Sequence, residues 1–192
     1  MATPGASLDS VGGTPRRSRP TWCTRANALT ALRLVLAPCI ALAIARDRSG
    51  LAVALLASAI ATDFADGAVA RRFGEASPLG GLLDHTVDAT LCVLGLAALA
   101  QRGMVPWVLA PLVALAFVQY VVDSRSHRGR PLRASQLGRW NGIAYYVLVA
   151  TPPVRDMLGW SWPWHWLVWW LGAALVASTL VSMLDRLTAR AR

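Results

Sequence analysis

The sequence predicts an all-α integral membrane protein with six transmembrane helices and both termini on the cytoplasmic side. Three observations carry that expectation. Hydrophobic residues make up 55% of the 192 residues and charged ones only 15%, against about 25% charge in a soluble domain. The deficit is concentrated in long stretches with almost no charge, six of which approach the roughly 20 apolar residues that a span needs. The arginines cluster between those stretches, with Arg33 the exception.

Residues 1–25 are rich in Pro, Gly, Ser and Arg without apolar periodicity, and are expected to form a mobile basic tail. Trp22 and Arg25 would lie at head-group level. The rival reading is a cleaved signal peptide, since Ala41, Ala43 and Ala45 resemble a small-residue cleavage site. Against it, the apolar stretch contains Arg33 and is long enough to span. Residues 26–188 are expected to form one membrane domain with spans at Asn27–Ala45, Leu51–Arg71, Leu79–Ala100, Met104–Val122, Leu137–Thr151 and Trp164–Leu184. Short connectors imply antiparallel neighbours.

Arginine placement sets the orientation. The N-terminal tail, the second-to-third loop, the fourth-to-fifth loop and the C-terminus together hold fourteen arginines. The opposite side holds Arg46, Arg48, Arg102 and Arg155. Trp160, Trp162, Trp164 and Trp166 then mark the outer interface as an aromatic belt. The net charge of +9 is due entirely to arginine, with no lysine, which with heavy alanine use suggests a GC-rich bacterial genome. The expected location is therefore the bacterial inner (cytoplasmic) membrane. Basic clusters between apolar segments suit anionic lipid head groups and phosphate-bearing substrates, and argue against a nucleic-acid partner. Cys23, Cys39 and Cys92 show no metal-ligand spacing and read as small apolar fillers.

The second and third spans carry the chemistry. Asp63, Asp66, Gly67, Ala70 and Arg71 are spaced i, i+3, i+4, i+7 and i+8, one stripe of a helix. Gly80, Asp84 and Asp88, spaced by fours, form a stripe on the next helix, and Pro78 falls in the connector. With Arg71 and Gly80 near the interface, Asp63 and Asp88 both lie about 12 Å deeper, so the four carboxylates converge. Four aspartates inside a membrane cost on the order of 10 kcal/mol. A hard divalent ion such as Mg²⁺ or Mn²⁺ suits such an all-oxygen site. Gly67 and Gly80 permit close helix approach and open space beside the carboxylates.

From Asp63 to Asp88 the chain resembles the CDP-alcohol phosphotransferase family, whose pattern D-x₂-D-G-x₂-A-R-x₈-G-x₃-D-x₃-D it meets at every fixed position. The resemblance implies a transferase that moves a phosphatidyl group from CDP-diacylglycerol to an alcohol and releases CMP. It implies two divalent ions held by Asp63, Asp66 and Asp84 with Asp88 as a further ligand. Asp88 would also take the acceptor's proton, and Gly67, Ala70, Arg71 and Gly80 would line the CDP-lipid site. Residues 26–188 would be the catalytic domain, and a homodimer is compatible with this architecture.

The first span, NALTALRLVLAP, is similar to the opening of phosphatidylglycerophosphate synthases and their cardiolipin-forming relatives. This points to Asn27, Thr30 and Arg33, with Arg133, Ser135 and Arg139 of the fourth-to-fifth loop, as the acceptor site, and to glycerol 3-phosphate as acceptor. Phosphatidylglycerol, serine or an inositol phosphate are the alternatives. Arg33 would lie level with the carboxylates, where its partner is either a substrate phosphate or one of the aspartates. Two positions depart from those relatives: His85 stands where many have Pro, and Phe117–Tyr120 replaces an Arg-Glu pair. A divalent-cation transporter is the rival from another class, invited by Asp84, His85 and Asp88. It leaves Gly67, Ala70 and Arg71 unexplained.

Overall fold

Three helix ends are marked by residues in the left-handed backbone region, Asp47 (φ 56°), Gly103 (φ 67°) and Gly159 (φ 64°). The residue after each sends its N–H five residues back, Arg48 to Ala43, Met104 to Leu99 and Trp160 to Arg155. These bonds cap the last carbonyls of α1 (Arg25–Ala45), α3 (Pro78–Gln101) and α5 (Gln136–Met157). The other helices are α2 (Ser49–Phe73), α4 (Leu109–Ser126) and α6 (His165–Arg190). The computed structural model describes residues 25–73, 78–126 and 136–190, and their regular structure is entirely helical. Apart from Arg25, the expected N-terminal tail lies outside these residues.

Six helices match the six expected segments in order; α6 runs past the expected Leu184 to Arg190, and other boundaries shift where prolines intervene. Pro78 opens α3, where its missing N–H costs nothing. α4 begins at Leu109, later than the expected Met104, because Pro106 interrupts the ladder and its carbonyl accepts the Leu109 N–H (3.0 Å) in a turn. α5 runs past the expected Thr151, through buried Pro152 and Pro153, to Met157. Beyond the prolines its end is held by the backbone cap at Gly159 and by Arg155. That guanidinium bonds Asp156 (2.7 and 2.5 Å) and the Pro163 carbonyl (3.1 Å).

α1 packs between α2 and α3; α5 lies against α2, α3 and α6, and α4 joins α3 to α6. The core is built from Ile40 and Ile44 of α1, Leu56 of α2, Leu91, Leu96 and Leu99 of α3, Leu109 and Val113 of α4, and Leu148 and Val149 of α5. At one end of the bundle Arg102 pairs with Asp47 from the α1–α2 turn and with Asp156 of α5 (3.4 Å). Asp47 holds a backbone conformation better suited to glycine, and its carboxylate makes that ion pair in exchange.

The exterior is strongly apolar, with Val35, Phe64, Trp107, Leu115, Val181 and Leu184 all exposed. Such a surface is that of a membrane protein. Among the described residues, Gly80–Gln101 and His165–Thr188 are long and apolar enough to cross a membrane, and shorter apolar stretches cover Leu29–Ala45, Ser49–Ala65 and Leu109–Asp123. Hydroxyls on these helices bond their own backbone. Ser58 donates to Ala54 (2.8 Å), Thr62 to Ser58 (3.0 Å), Thr86 to Leu82 (2.7 Å) and Thr90 to Thr86 (2.8 Å).

Gly95 sets the spacing of α3 and α5, because a Cβ there would lie 2.6 Å from Val149 Cγ1. Valine is stiff at χ1 and has little freedom to move aside. Gly95→Ala is expected to destabilise the bundle by about 1–3 kcal/mol, and Val149→Ala in the same chain to restore part of the loss, both read from thermal unfolding in detergent.

Candidate active site

The stripes on α2 and α3 meet one side chain from α1. Arg33 is 1% exposed and sends Nη1 to Asp63 Oδ1 (2.6 Å) and Asp88 Oδ1 (2.7 Å), while Nη2 bonds Asp84 Oδ1. Three helices are thereby joined at one guanidinium. The carboxylates remain partly open, at 45% for Asp63, 31% for Asp84 and 28% for Asp88, so a ligand can reach them. Thr30, one turn before Arg33, is buried. Gly80, one turn before Asp84, is half-buried.

The donor set fits a divalent ion. Two carboxylate oxygens share a single nitrogen of Arg33, which brings them within reach of one small cation. Ligand atoms of Asp84, His85 and Asp88 lie within 4.8 Å of one another and could hold an ion together. Carboxylate oxygens from facing helices suit Mg²⁺ or Mn²⁺.

Asp88 borders two cavities. One, of about 240 Å³, is shared with Arg33, Asp63 and Tyr146. The other, of about 570 Å³, lies among α3, α4, α5 and α6 and is lined by Asp88, His85, Tyr146, Arg139 and Arg186 as well as apolar side chains. Tyr146 lines both, and its side chain hydrogen-bonds Asp88. The larger cavity's walls are tied together by side-chain bonds. Ser178 donates to Asn141 Oδ1 (2.7 Å), Tyr145 and Thr179 share a hydroxyl–hydroxyl bond of 2.5 Å, and Gln119 donates to the Met183 carbonyl (3.1 Å). Arg186 lies over the Tyr120 ring, 5.6 Å from its centroid. It also fills the space beside Gly138, where a Cβ would meet Nη2 at 2.6 Å.

The structure thus groups Asp63, Asp84, Asp88 and Arg33, and places exposed Arg139 on the larger cavity with Asp88. Asp66, Gly67, Ala70 and Arg71 belong to α2, and Asn27 to α1, with only their helical backbone described. Arg133 and Ser135 lie outside the described residues. Two residues at this site, Tyr146 and Arg186, were not singled out from sequence, and His85, read there as a departure from relatives and as an invitation to the transporter reading, joins Asp84 and Asp88 here. Tyr146 and Arg186 carry no local signal, since their neighbours here are far away in the chain.

The sequence pattern of the CDP-alcohol phosphatidyltransferase family matches residues 23–181. The chain is 31% identical over 133 residues to the CDP-diacylglycerol–glycerol-3-phosphate 3-phosphatidyltransferase of Cereibacter sphaeroides, covering 65% of this chain and 60% of that protein. It is 28% identical over 167 residues to a Mycobacterium tuberculosis protein provisionally named cardiolipin synthase, covering 82% and 80%. A second protein of that organism, provisionally named phosphatidylglycerophosphate synthase, is 36% identical over 94 residues, covering 46% and 45%. The chain spans about three fifths of the Cereibacter relative's length. With the family pattern running across most of its residues and the acidic hairpin at its centre, this chain belongs to the CDP-alcohol phosphatidyltransferase family.

Proposed function

We propose that this protein transfers the phosphatidyl group of CDP-diacylglycerol to an alcohol, releasing CMP, and that the acceptor is glycerol 3-phosphate. The observation that carries the reading is the convergence of Asp63, Asp84 and Asp88 from α2 and α3 beside a cavity holding Arg139 and Arg186. Relatives named for glycerol 3-phosphate support the acceptor.

In this mechanism the acceptor oxygen forms a bond to the lipid-bearing phosphorus while the bond from that phosphorus to the CMP oxygen breaks. Asp88 takes the acceptor hydroxyl's proton, and Tyr146 orients its carboxylate. Asp63, Asp66, Asp84 and Asp88 would hold two divalent ions, Mg²⁺ or Mn²⁺, which supply charge neutralisation at the diphosphate and at the leaving oxygen. In this reading Gly67, Ala70, Arg71 and Gly80 would line the donor site, and Asn27, Thr30, Arg133 and Ser135 would contribute to the acceptor site. Arg139 and Arg186 offer planar, charge-assisted bonds to an acceptor phosphate. Replacing any of the four aspartates by Asn is expected to lower turnover by roughly 10²–10³-fold, and chelation to abolish it. Undiminished CMP release after chelation would refute this.

Phosphatidylglycerol is a second acceptor reading, favoured by the apolar Val113, Phe117, Ile143 and Met183 on the larger cavity and by the relative named for cardiolipin synthesis. CMP release from CDP-diacylglycerol with each acceptor separately decides. Glycerol 3-phosphate is expected to be used, serine poorly, and Arg139→Ala to raise the KM for glycerol 3-phosphate by roughly 10–100-fold with little change for CDP-diacylglycerol. Release with phosphatidylglycerol alone would transfer the assignment to that lipid.

The bundle would sit in the inner membrane with six spans and both termini cytoplasmic. Two of the four arginines assigned to the outer side, Arg102 and Arg155, are engaged by Asp47 and Asp156, and the exposed Trp160, Trp162, Trp164 and Trp166 lie just before and at the start of α6. A cysteine introduced as Ser135→Cys in a cysteine-free chain should resist an impermeant thiol reagent added to intact cells and react in inverted vesicles. Labelling from outside would reverse the orientation.

A further inference from the structure

The guanidinium of Arg33 stands where a metal would compete with it. Its Nη1 lies between Asp63 Oδ1 and Asp88 Oδ1 at 2.6 and 2.7 Å, and Nη2 takes Asp84 Oδ1. Mg²⁺ coordinates such oxygens at about 2.0–2.1 Å, so an ion bound among them would displace the nitrogen or be strongly repelled by it. The side chain comes from α1, whereas all three carboxylates come from α2 and α3. It therefore acts on the acidic hairpin as a tethered cation from outside. It also has somewhere to go, because the cavity of about 240 Å³ that it lines runs between Asp63, Asp88 and Tyr146, past Leu56 and Leu91. An arginine stem has enough torsions to move the planar head into that space while α1 stays packed.

We propose that Arg33 is a positioning residue that serves as a stand-in cation. It gathers Asp63, Asp84 and Asp88 and yields these oxygens when divalent ions bind, which turns its guanidinium toward the small cavity and any phosphate entering there. The idea rests on the reading of these aspartates as divalent-ion ligands. Its consequence is an order of events: ions load first, and their loading releases a cation for the anionic substrate. Asp63, Asp84 and Asp88 together carry more negative charge than the Arg33 guanidinium offsets, so these oxygens continue to attract a divalent ion. The apparent affinity for that ion is reduced by the fraction of protein in which Arg33 occupies the oxygens.

The test measures Mn²⁺ binding by electron paramagnetic resonance, using full-length protein in detergent micelles after chelator treatment, with thermal unfolding in parallel. Arg33→Gln is expected to bind Mn²⁺ at least about tenfold more tightly than wild type. Arg33→Lys, whose compact ammonium cannot reach three carboxylates in the same fork geometry, should fall between them. Chelated Arg33→Gln should also unfold at a lower temperature than chelated wild type, with saturating Mn²⁺ closing the gap. Equal or weaker Mn²⁺ binding by Arg33→Gln, or a stability gap that persists in saturating Mn²⁺, would overturn the proposal. If Arg33→Gln does not survive chelation, Arg33→Lys decides by the same affinity comparison. Wild-type binding that neither variant alters sinks this proposal alone, whereas no Mn²⁺ binding by any of the three proteins removes the metal reading and the proposal with it.

Discussion

Among the described residues, three carboxylates on two helices meet one guanidinium on a third, and the middle of the bundle is organised around that meeting. An aspartate carried into an apolar helix bundle is costly without a partner, even one that stays partly open as these do. The chain resolves this by inserting α1 between α2 and α3, so that Arg33 reaches Asp63, Asp84 and Asp88 together. The small residues Ala37 and Ala43 on α1, and Ala52 and Ala59 on α2, are buried in the core and allow the close approach that such short ion pairs require. Electrostatics and packing here make the same demand, that three helices lie close together.

The two ends of the bundle are built differently. At one, Arg102, Asp47, Asp156 and Arg155 form an ion-paired belt among α1, α3 and α5, and left-handed caps close α1, α3 and α5. Toward the other lies the larger cavity, whose walls are joined by hydrogen bonds such as Tyr145–Thr179 and Asn141–Ser178. A bundle fastened at one end and cavitied toward the other can admit a head group between its helices while retaining its core.

Much of this was legible in the sequence because the informative residues recur at helical spacing. Asp63 on α2 and Asp84 and Asp88 on α3 could be placed on facing stripes from their numbers alone, and the six apolar segments yielded six helices. Arg33 was legible as a buried cation at the right depth but not as to partner, since a phosphate and a carboxylate make the same demand on a guanidinium. The helix boundaries at Leu109 and Met157 were missed for one reason: the effect of proline depends on what replaces its hydrogen bond. Pro106 is absorbed by a turn, while Pro152 and Pro153 are held inside α5 by burial and by Arg155. Tyr146 and Arg186 were invisible because nothing near them in the chain announces which helix they will face.

The self-bonded hydroxyls of α2 and α3 bear on how such a chain is measured. A residue-by-residue transfer scale charges Ser58, Thr62, Thr86 and Thr90 for bringing an unsatisfied hydroxyl into hydrocarbon. Each has already closed that bond on a carbonyl of its own helix, so what faces outward is mainly carbon. The outer faces of these helices are therefore less polar than a count of their hydroxyls suggests, in α2 and α3 alike. For chains whose chemistry forces acids into apolar helices, polar residues that satisfy themselves are a means of keeping the outer face oily without giving up the inner one.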